Sequence, residues 1–175
     1  MNIEEFIRDV PDFPKPGIVF KDITPLLANV EALRQTVRLL ADPYRNSGAE
    51  IVTGVESRGF IFGALLADEL DAGFVPIRKP GKLPAETISE SYQLEYGTDT
   101  IEIHADAISP GQKVLMADDL IATGGTIEAA CKLVAKLGGD IVAAVFLVEL
   151  SFLSGRAKLD ALGVRTHSLI QVSGE

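Results

Sequence analysis

Asp118 and Asp119 stand side by side, and after Leu120 and Ile121 the chain continues Ala122-Thr123-Gly124-Gly125-Thr126. The run before the acids, residues 114–117, is short and apolar and reads as a buried strand. Beyond Thr126, apolar residues recur at Ile127, Ala130, Cys131, Val134 and Leu137, one face of a helix. Residues 118–125 are therefore expected to form a strand-to-helix turn. Backbone N–H groups at a helix start have no intrahelical partner, and the helix dipole adds partial positive charge there. The glycines let the main chain curl around an anion, and Thr123 and Thr126 offer hydroxyl donors. Two carboxylates would repel a bare phosphate. They make sense beside a ligand that also carries hydroxyls or a metal ion, such as a ribose phosphate. The competing reading is a plain strand–turn–helix with an acidic cap.

Three further places carry candidate chemistry. Arg58 follows a short apolar run, with Glu56, Ser57 and Gly59 around it. A guanidinium there can grip two oxygens of a pyrophosphate, with Glu56 holding the fork; a surface Glu56–Arg58 ion pair is the alternative. Residues 78–86 carry Arg78, Lys79 and Lys82 and almost no core-forming side chains, so a solvated basic loop competes with an anion-neutralising one. Glu95 lies in Tyr92-Gln93-Leu94-Glu95-Tyr96-Gly97, where it is either a working carboxylate or an exposed charge on an edge strand. Phe20, in the apolar group Ile18, Val19 and Phe20 beside Lys21, is a core residue or a surface on which a flat ring stacks.

The elements that must position these groups follow from periodicity. Ile3, Phe6 and Ile7 suggest a short helix over 2–9, broken by Pro11, Pro14 and Pro16. Residues 16–27 read as a turn. Val30, Leu33, Val37, Leu40, Ala41 and Tyr44 make the stripe of a helix over 30–46. Strands are expected at 51–55, 73–77, 114–117, 141–150 and 164–172, with a helix after residue 58 whose inner face is Ile61, Ala64, Leu65 and Leu70. Residues 78–100 form a flexible loop and a hairpin, 88–96 pairing with 101–104. A short helix fits 153–162. Near-continuous apolar strands alternating with amphipathic helices imply an α/β fold, a mostly parallel twisted sheet flanked by helices. Ligands of such sheets bind beyond the carboxyl ends of the strands, which is where the Arg58, Arg78 and Asp118 segments all fall.

The chain has 175 residues, 47% of them apolar, which fits one domain with a sizeable core. No apolar run approaches the ~20 residues needed to cross a bilayer. The formal net charge of −9 argues against nucleic-acid or membrane partners, so any polyphosphate must be held by main-chain donors and a few placed cations. Cys131 is the lone cysteine, on the apolar side of a helix, where a packed thiol in a reducing cytoplasm is expected. His104 and His167 lie too far apart in sequence to suggest a metal site and are read as structural.

The Asp118–Thr126 run resembles the 5-phosphoribosyl-1-pyrophosphate (PRPP) motif of type I phosphoribosyltransferases. Tyr92-Gln93-Leu94-Glu95-Tyr96-Gly97 and the segment Pro16 to Pro25 are similar to segments of the adenine-using members of that family. Together these matches span residues 13–126. The resemblance implies one phosphoribosyltransferase domain over 1–175, with residues 1–27 as an N-terminal hood and 78–100 as a flexible catalytic loop and hairpin. It implies transfer of the phosphoribosyl group to adenine, giving AMP and pyrophosphate with Mg²⁺, in a cytoplasmic homodimer. Ala122, Thr123, Gly124, Gly125 and Thr126 would hold the 5′-phosphate, and Asp118 and Asp119 the ribose diol, with Mg²⁺ bound through PRPP rather than by protein alone. Arg58, Arg78, Lys79 and Lys82 would handle pyrophosphate. Glu95 and Arg58 would be catalytic, while Val19, Phe20 and Lys21 would take the adenine. The family often has arginine where this chain has Lys21, which lacks the planar fork. Cleavage of the donor's C1–O bond gives an oxocarbenium-like centre that a closed loop must shield from water. The rival functions are transfer to another purine (hypoxanthine, guanine or xanthine) and a PRPP- or purine-sensing regulator on the same fold.

Overall fold

A computed structural model of the chain describes residues 1–94 and 97–174, in two compact units, residues 1–39 and 40–175. In the first unit the expected helix over 2–9 is only a 3₁₀ turn, Ile3–Phe6. The chain then extends into β1, Arg8–Pro11. β1 pairs antiparallel with β2, Val19–Asp22, so the expected turn at 16–27 contains a strand. Two cross-strand ion pairs, Arg8–Asp22 at 2.5 Å and Lys21–Asp9 at 2.6 Å, support a ribbon too short to be stable by its ladder alone. A short helix, α1, spans Thr24–Ala28, and α2 spans Val30–Ala41.

The Asn29 side chain accepts from the amides of Glu31 and Ala32 and so opens α2. The buried face of α2 is Ala32, Thr36, Val37, Leu40 and Ala41, whereas Val30, expected on that face, is 56% exposed. The helix stops at Ala41 rather than 46 because Pro43 has no N–H to continue the ladder.

The second unit is built on a five-stranded, fully parallel sheet. Its strands are β3 (Ile51–Val55), β4 (Gly73–Ile77), β7 (Lys113–Ile121), β8 (Asp140–Leu150) and β9 (Thr166–Val172), in the order β4-β3-β7-β8-β9. Between β4 and β7 a separate antiparallel hairpin pairs β5 (Thr87–Gln93) with β6 (Thr98–His104). Ile101 and Ile103 of that hairpin are fully buried, so it belongs to the main core rather than to a loop. Helices α3 (Gly59–Glu69), α4 (Gly125–Lys136) and α5 (Gly155–Ala161) also belong to this unit.

The buried face of α3 is Gly59, Phe62, Gly63, Leu66 and Ala67, not Ile61, Ala64, Leu65 and Leu70. The helix is apolar on nearly every side, so periodicity could not choose its face. Close approach chose it: a Cβ on Gly63 would meet Phe74 at 2.7 Å, and one on Gly54 of β3 would meet the Gly59 carbonyl oxygen at 2.6 Å. On α4 the expected residues Ile127, Ala130, Cys131 and Val134 are buried, in one cluster with Val114, Met116 and Phe146 of the sheet.

Candidate active site

The central strand β7 is longer than the apolar run that suggested it. It pairs with β3 only as far as Gly54–Ala117, yet continues beside β8 to Ile121–Glu149. Asp118 and Asp119 are thus strand residues, not turn residues, on the part of β7 that overhangs the end of β3. The turn proper is residues 122–124. Gly124 adopts φ +77°, a left-handed conformation that a glycine accepts without a Cβ clash, and Gly125 begins α4.

Beside this overhang lies a cavity of about 270 Å³ lined by Glu56, Ser57, Arg58, Lys79, Tyr92, Asp118, Asp119, Leu120 and Thr126. Five of the residues expected from sequence therefore converge: Arg58, Lys79, Asp118, Asp119 and Thr126. Arg58 arrives as the N-cap of α3, after a cis peptide between Glu56 and Ser57. Its Nε donates to Asp119 Oδ2 at 2.5 Å. Gly59 is small for a reason internal to the protein, since a Cβ there would lie 2.7 Å from Asp118 Oδ1. Asp118 also accepts from the Asp119 amide at 2.9 Å. Burial, and then the charge of Asp119, push the Asp118 carboxyl well above its ordinary range.

Glu56 serves the basic loop. Its carboxylate accepts from Arg78 Nε at 3.2 Å and from the Lys79 amide at 3.0 Å, and these bonds hold it below the ordinary carboxylate range. It ties the start of the basic loop to the Arg58 turn. Arg78 is further pinned by a backbone bridge to Glu102, and its guanidinium donates to the Lys82 carbonyl at 3.3 Å. The Lys82 side chain is exposed.

Lys79 reaches the opposite wall. Its ammonium bonds Asp99 and, at 3.3 Å, the Tyr92 hydroxyl, which itself donates to Asp99 at 3.1 Å. Burial pulls the Lys79 pKa down, but the bonds to Asp99 and Tyr92 outweigh it and leave Lys79 above its ordinary value. Tyr92 and Asp99 escaped the sequence reading. Asp99 has no motif of its own, and its partner lies far away in sequence. Tyr92 was visible only as part of a larger match.

The remaining expected residues lie elsewhere. Ala122, Thr123, Gly124 and Gly125 flank the cavity in sequence but are not among its lining residues; Thr123 is exposed and Gly124 and Gly125 are buried. Gly125 instead faces the Tyr92 ring and lines a second cavity of about 290 Å³ with Lys132 and Lys158. Val19, Phe20 and Lys21 belong to the first unit. There Val19 is exposed, Phe20 meets the Phe13 ring edge-on at 5.2 Å, and Lys21 pairs with Asp9. Glu95 lies outside the described residues.

The lining sets the carboxyl groups of Glu56, Asp118 and Asp119 beside the cations of Arg58 and Lys79. The phosphoribosyl transferase domain matches residues 22–172, a span that takes in the whole parallel sheet, Arg58, the acidic pair and the turn after β7. The chain is 53% identical over 173 residues to adenine phosphoribosyltransferase of Aeromonas salmonicida, covering 99% of this chain and 96% of that one. The crystal structure of adenine phosphoribosyltransferase from Rhodothermus marinus superposes with a TM-score of 0.92 at 56% identity, covering 97% and 96% of the two chains. That of the Saccharomyces cerevisiae enzyme, complexed with an imino-altritol bisphosphate and adenine, gives 0.88 at 39% identity, covering 95% and 96%. The chain belongs to the adenine phosphoribosyltransferase family.

Proposed function

We infer that the cavity around Asp118, Asp119 and Arg58 is where this chain performs the reaction of its family. The chain is a pentosyl transferase. It moves the 5-phosphoribosyl group of PRPP to adenine and gives AMP and pyrophosphate, a step of purine salvage. The observation that carries the site assignment is the convergence of Arg58, Lys79, Asp118, Asp119 and Thr126 on one cavity at the carboxyl edge of the sheet.

In this reading Asp118 and Asp119 accept from the ribose hydroxyls. The turn 122–126, with its left-handed Gly124 and the amides opening α4, takes the 5′-phosphate. Arg58 and Lys79 carry the pyrophosphate, exchanging their present carboxylate partners for its oxygens, and Arg78 and Lys82 join from the loop. Glu95 handles the proton or the developing charge. Phe20 stacks on the adenine and the main chain of Val19 reads its edge, with Lys21 beside them. Residues 1–27 act as the hood, and residues 78–100 exclude water while the C1–O bond breaks.

The donor set suits Mg²⁺. The lining carboxylates are hard oxygen donors of the kind Mg²⁺ takes. An ion bound largely through the diphosphate, near Asp118 and Asp119, is the reading carried over from the family resemblance. Bound there, Mg²⁺ supplies Lewis-acid neutralisation of the leaving charge. The homodimer is carried over from the family resemblance alone. A reducing cytoplasm suits the single, buried Cys131. Among the described residues no helix is long and apolar enough to cross a membrane.

The test is to incubate the protein with PRPP and Mg²⁺, together with adenine, hypoxanthine, guanine or xanthine in turn, and to measure nucleotide formed. AMP from adenine, lost on chelation with EDTA, is expected. Clear preference for a 6-oxopurine would overturn the choice of base, and tight DNA binding at physiological salt would revive the regulator.

A further inference from the structure

The turn that follows β7 has a second contact that none of the roles above uses. Gly155, the first residue of α5, lies directly behind it. A Cβ on Gly155 would fall on the Ala122 carbonyl oxygen and lie 2.9 Å from Ile121 Cγ1 and 3.0 Å from the Gly124 nitrogen. Conversely, a Cβ on Gly124 would lie 2.6 Å from the Gly155 carbonyl oxygen. The two segments therefore meet main chain against main chain at Gly155, Ala122 and Gly124, with the Ile121 side chain alongside.

The next residue fixes where Gly155 sits. Arg156 donates through Nε to Glu149 Oε1 at 2.9 Å, through Nη2 to Glu149 Oε2, and through Nη1 to the Thr166 carbonyl at 2.9 Å. Ser168 of β9 donates to the same Glu149 carboxylate at 2.8 Å. Glu149 is only 4% exposed, and in the β7–β8 register it lies opposite Ile121, the last strand residue before the turn. A planar fork meeting a buried carboxylate at two points allows one geometry and resists sliding.

We propose that Gly155, held by the Glu149–Arg156–Ser168 cluster, braces the turn 122–124 from behind, and that these are positioning residues for the 5′-phosphate. The proposal rests on the reading that this turn receives that phosphate. A turn whose amides must all reach one phosphate gains from a rigid backing, because an amide moved out of hydrogen-bond distance loses its charge-assisted bond to the anion. Gly155 meets the turn at Ala122 and Gly124, whereas Arg58 and Lys79 line the cavity beside β7, so the effect of the brace should be confined to the phosphate end of the donor.

The experiment uses the full chain and two ligands, ribose 5-phosphate and Mg²⁺–pyrophosphate, titrated separately by calorimetry, together with steady-state kinetics and thermal melts. Gly155→Ala should weaken ribose 5-phosphate by roughly tenfold or more and raise the PRPP KM alike, with pyrophosphate affinity and saturated kcat within about twofold. Arg156→Lys keeps the charge without the fork and should give the same selectivity at a smaller size; it decides the matter if Gly155→Ala does not fold. The double variant Thr123→Ala, Thr126→Ala, which alters the turn itself, is the control for the parent reading. If that control weakens ribose 5-phosphate while the brace variants do not, the brace is wrong. If the control also leaves ribose 5-phosphate untouched, the phosphate assignment fails instead. Equal loss of both ligands with a lowered Tm would make the cluster ordinary packing and would also overturn the brace.

Discussion

Removing Arg58 should do two separable things, and the structure sets the size of each. The Asp119 side chain is 7% exposed and its guanidinium partner 46% exposed, at 2.5 Å. Breaking a buried pair costs about 3–5 kcal/mol, and an exposed one about 0–1. A pair sealed at one end and open at the other should fall between, so Arg58→Ala should lose about 1–3 kcal/mol at neutral pH. The deficit has a pH signature. Asp118, already pushed up by burial and by Asp119, loses a lowering influence when Arg58 goes. A carboxyl whose pKa is raised in the folded state costs nothing below its unfolded value and removes stability as pH rises from there to the folded one, and a further rise in the variant carries that loss to higher pH. The stability gap between variant and parent should therefore shrink as pH falls. The second effect is kinetic. A charge-assisted hydrogen bond contributes about 1.5–3 kcal/mol, so loss of the pyrophosphate grip should lower kcat/KM for PRPP by roughly 10- to 150-fold. Urea denaturation across pH 5–8, chosen as about the range where most domains stay folded, and initial rates at varied PRPP read the two effects. An Arg58→Ala protein with parental stability and parental kcat/KM would refute both the pairing and the pyrophosphate role.

Other substitutions probe other parts of the chain. Phe20→Ala should raise the adenine KM far more than the PRPP KM, since base stacking contributes about 1–3 kcal/mol; equal loss of both would return Phe20 to a packing role beside Phe13. The Cys131 thiol, pushed up to about 12 by burial, should not react with a thiol reagent in the native protein at neutral pH and should react on unfolding. Full labelling of the folded chain would contradict its place in the core. Glu149 is held below its ordinary 4.5 by Arg156. Its stabilising contribution is therefore complete above that value and is lost as pH falls through the depressed native one. Glu149→Gln should flatten the acid limb of the urea midpoint against pH, and an unchanged acid limb would show that the ion pair does not act in this way.

Much of the framework was legible because burial leaves a periodic trace. The apolar runs at 51–55, 73–77 and 141–150 are strands of the sheet within a residue, and β7 and β9 begin and end within a few residues of expectation. The stripe Ile127, Ala130, Cys131, Val134 faces the core as read. Errors came where periodicity carries no phase or where pairing overrides it. α3 is apolar all round, and its inner face was set by glycines that only the sheet explains. Arg8 and Asp9 looked helical with their neighbours, yet Arg8 to Pro11 is a strand because Val19 to Asp22 lies opposite.

The candidate site divides along the same line. By itself the sequence determined which chemical groups exist and which are bound to be neighbours: the acidic pair, the glycine turn after it, the arginine beside a glycine at a strand end. Local spacing fixes these, since residues a few positions apart on a strand or helix start have little choice of relative place. Only the tertiary structure decided the partners. Arg58 answers to Asp119 and Glu56 to Arg78 and Lys79; Lys79 answers to Asp99, and Gly155 backs a turn some thirty positions earlier in the chain. Contacts of that separation depend on strand order and register, β4-β3-β7-β8-β9, which no single segment encodes.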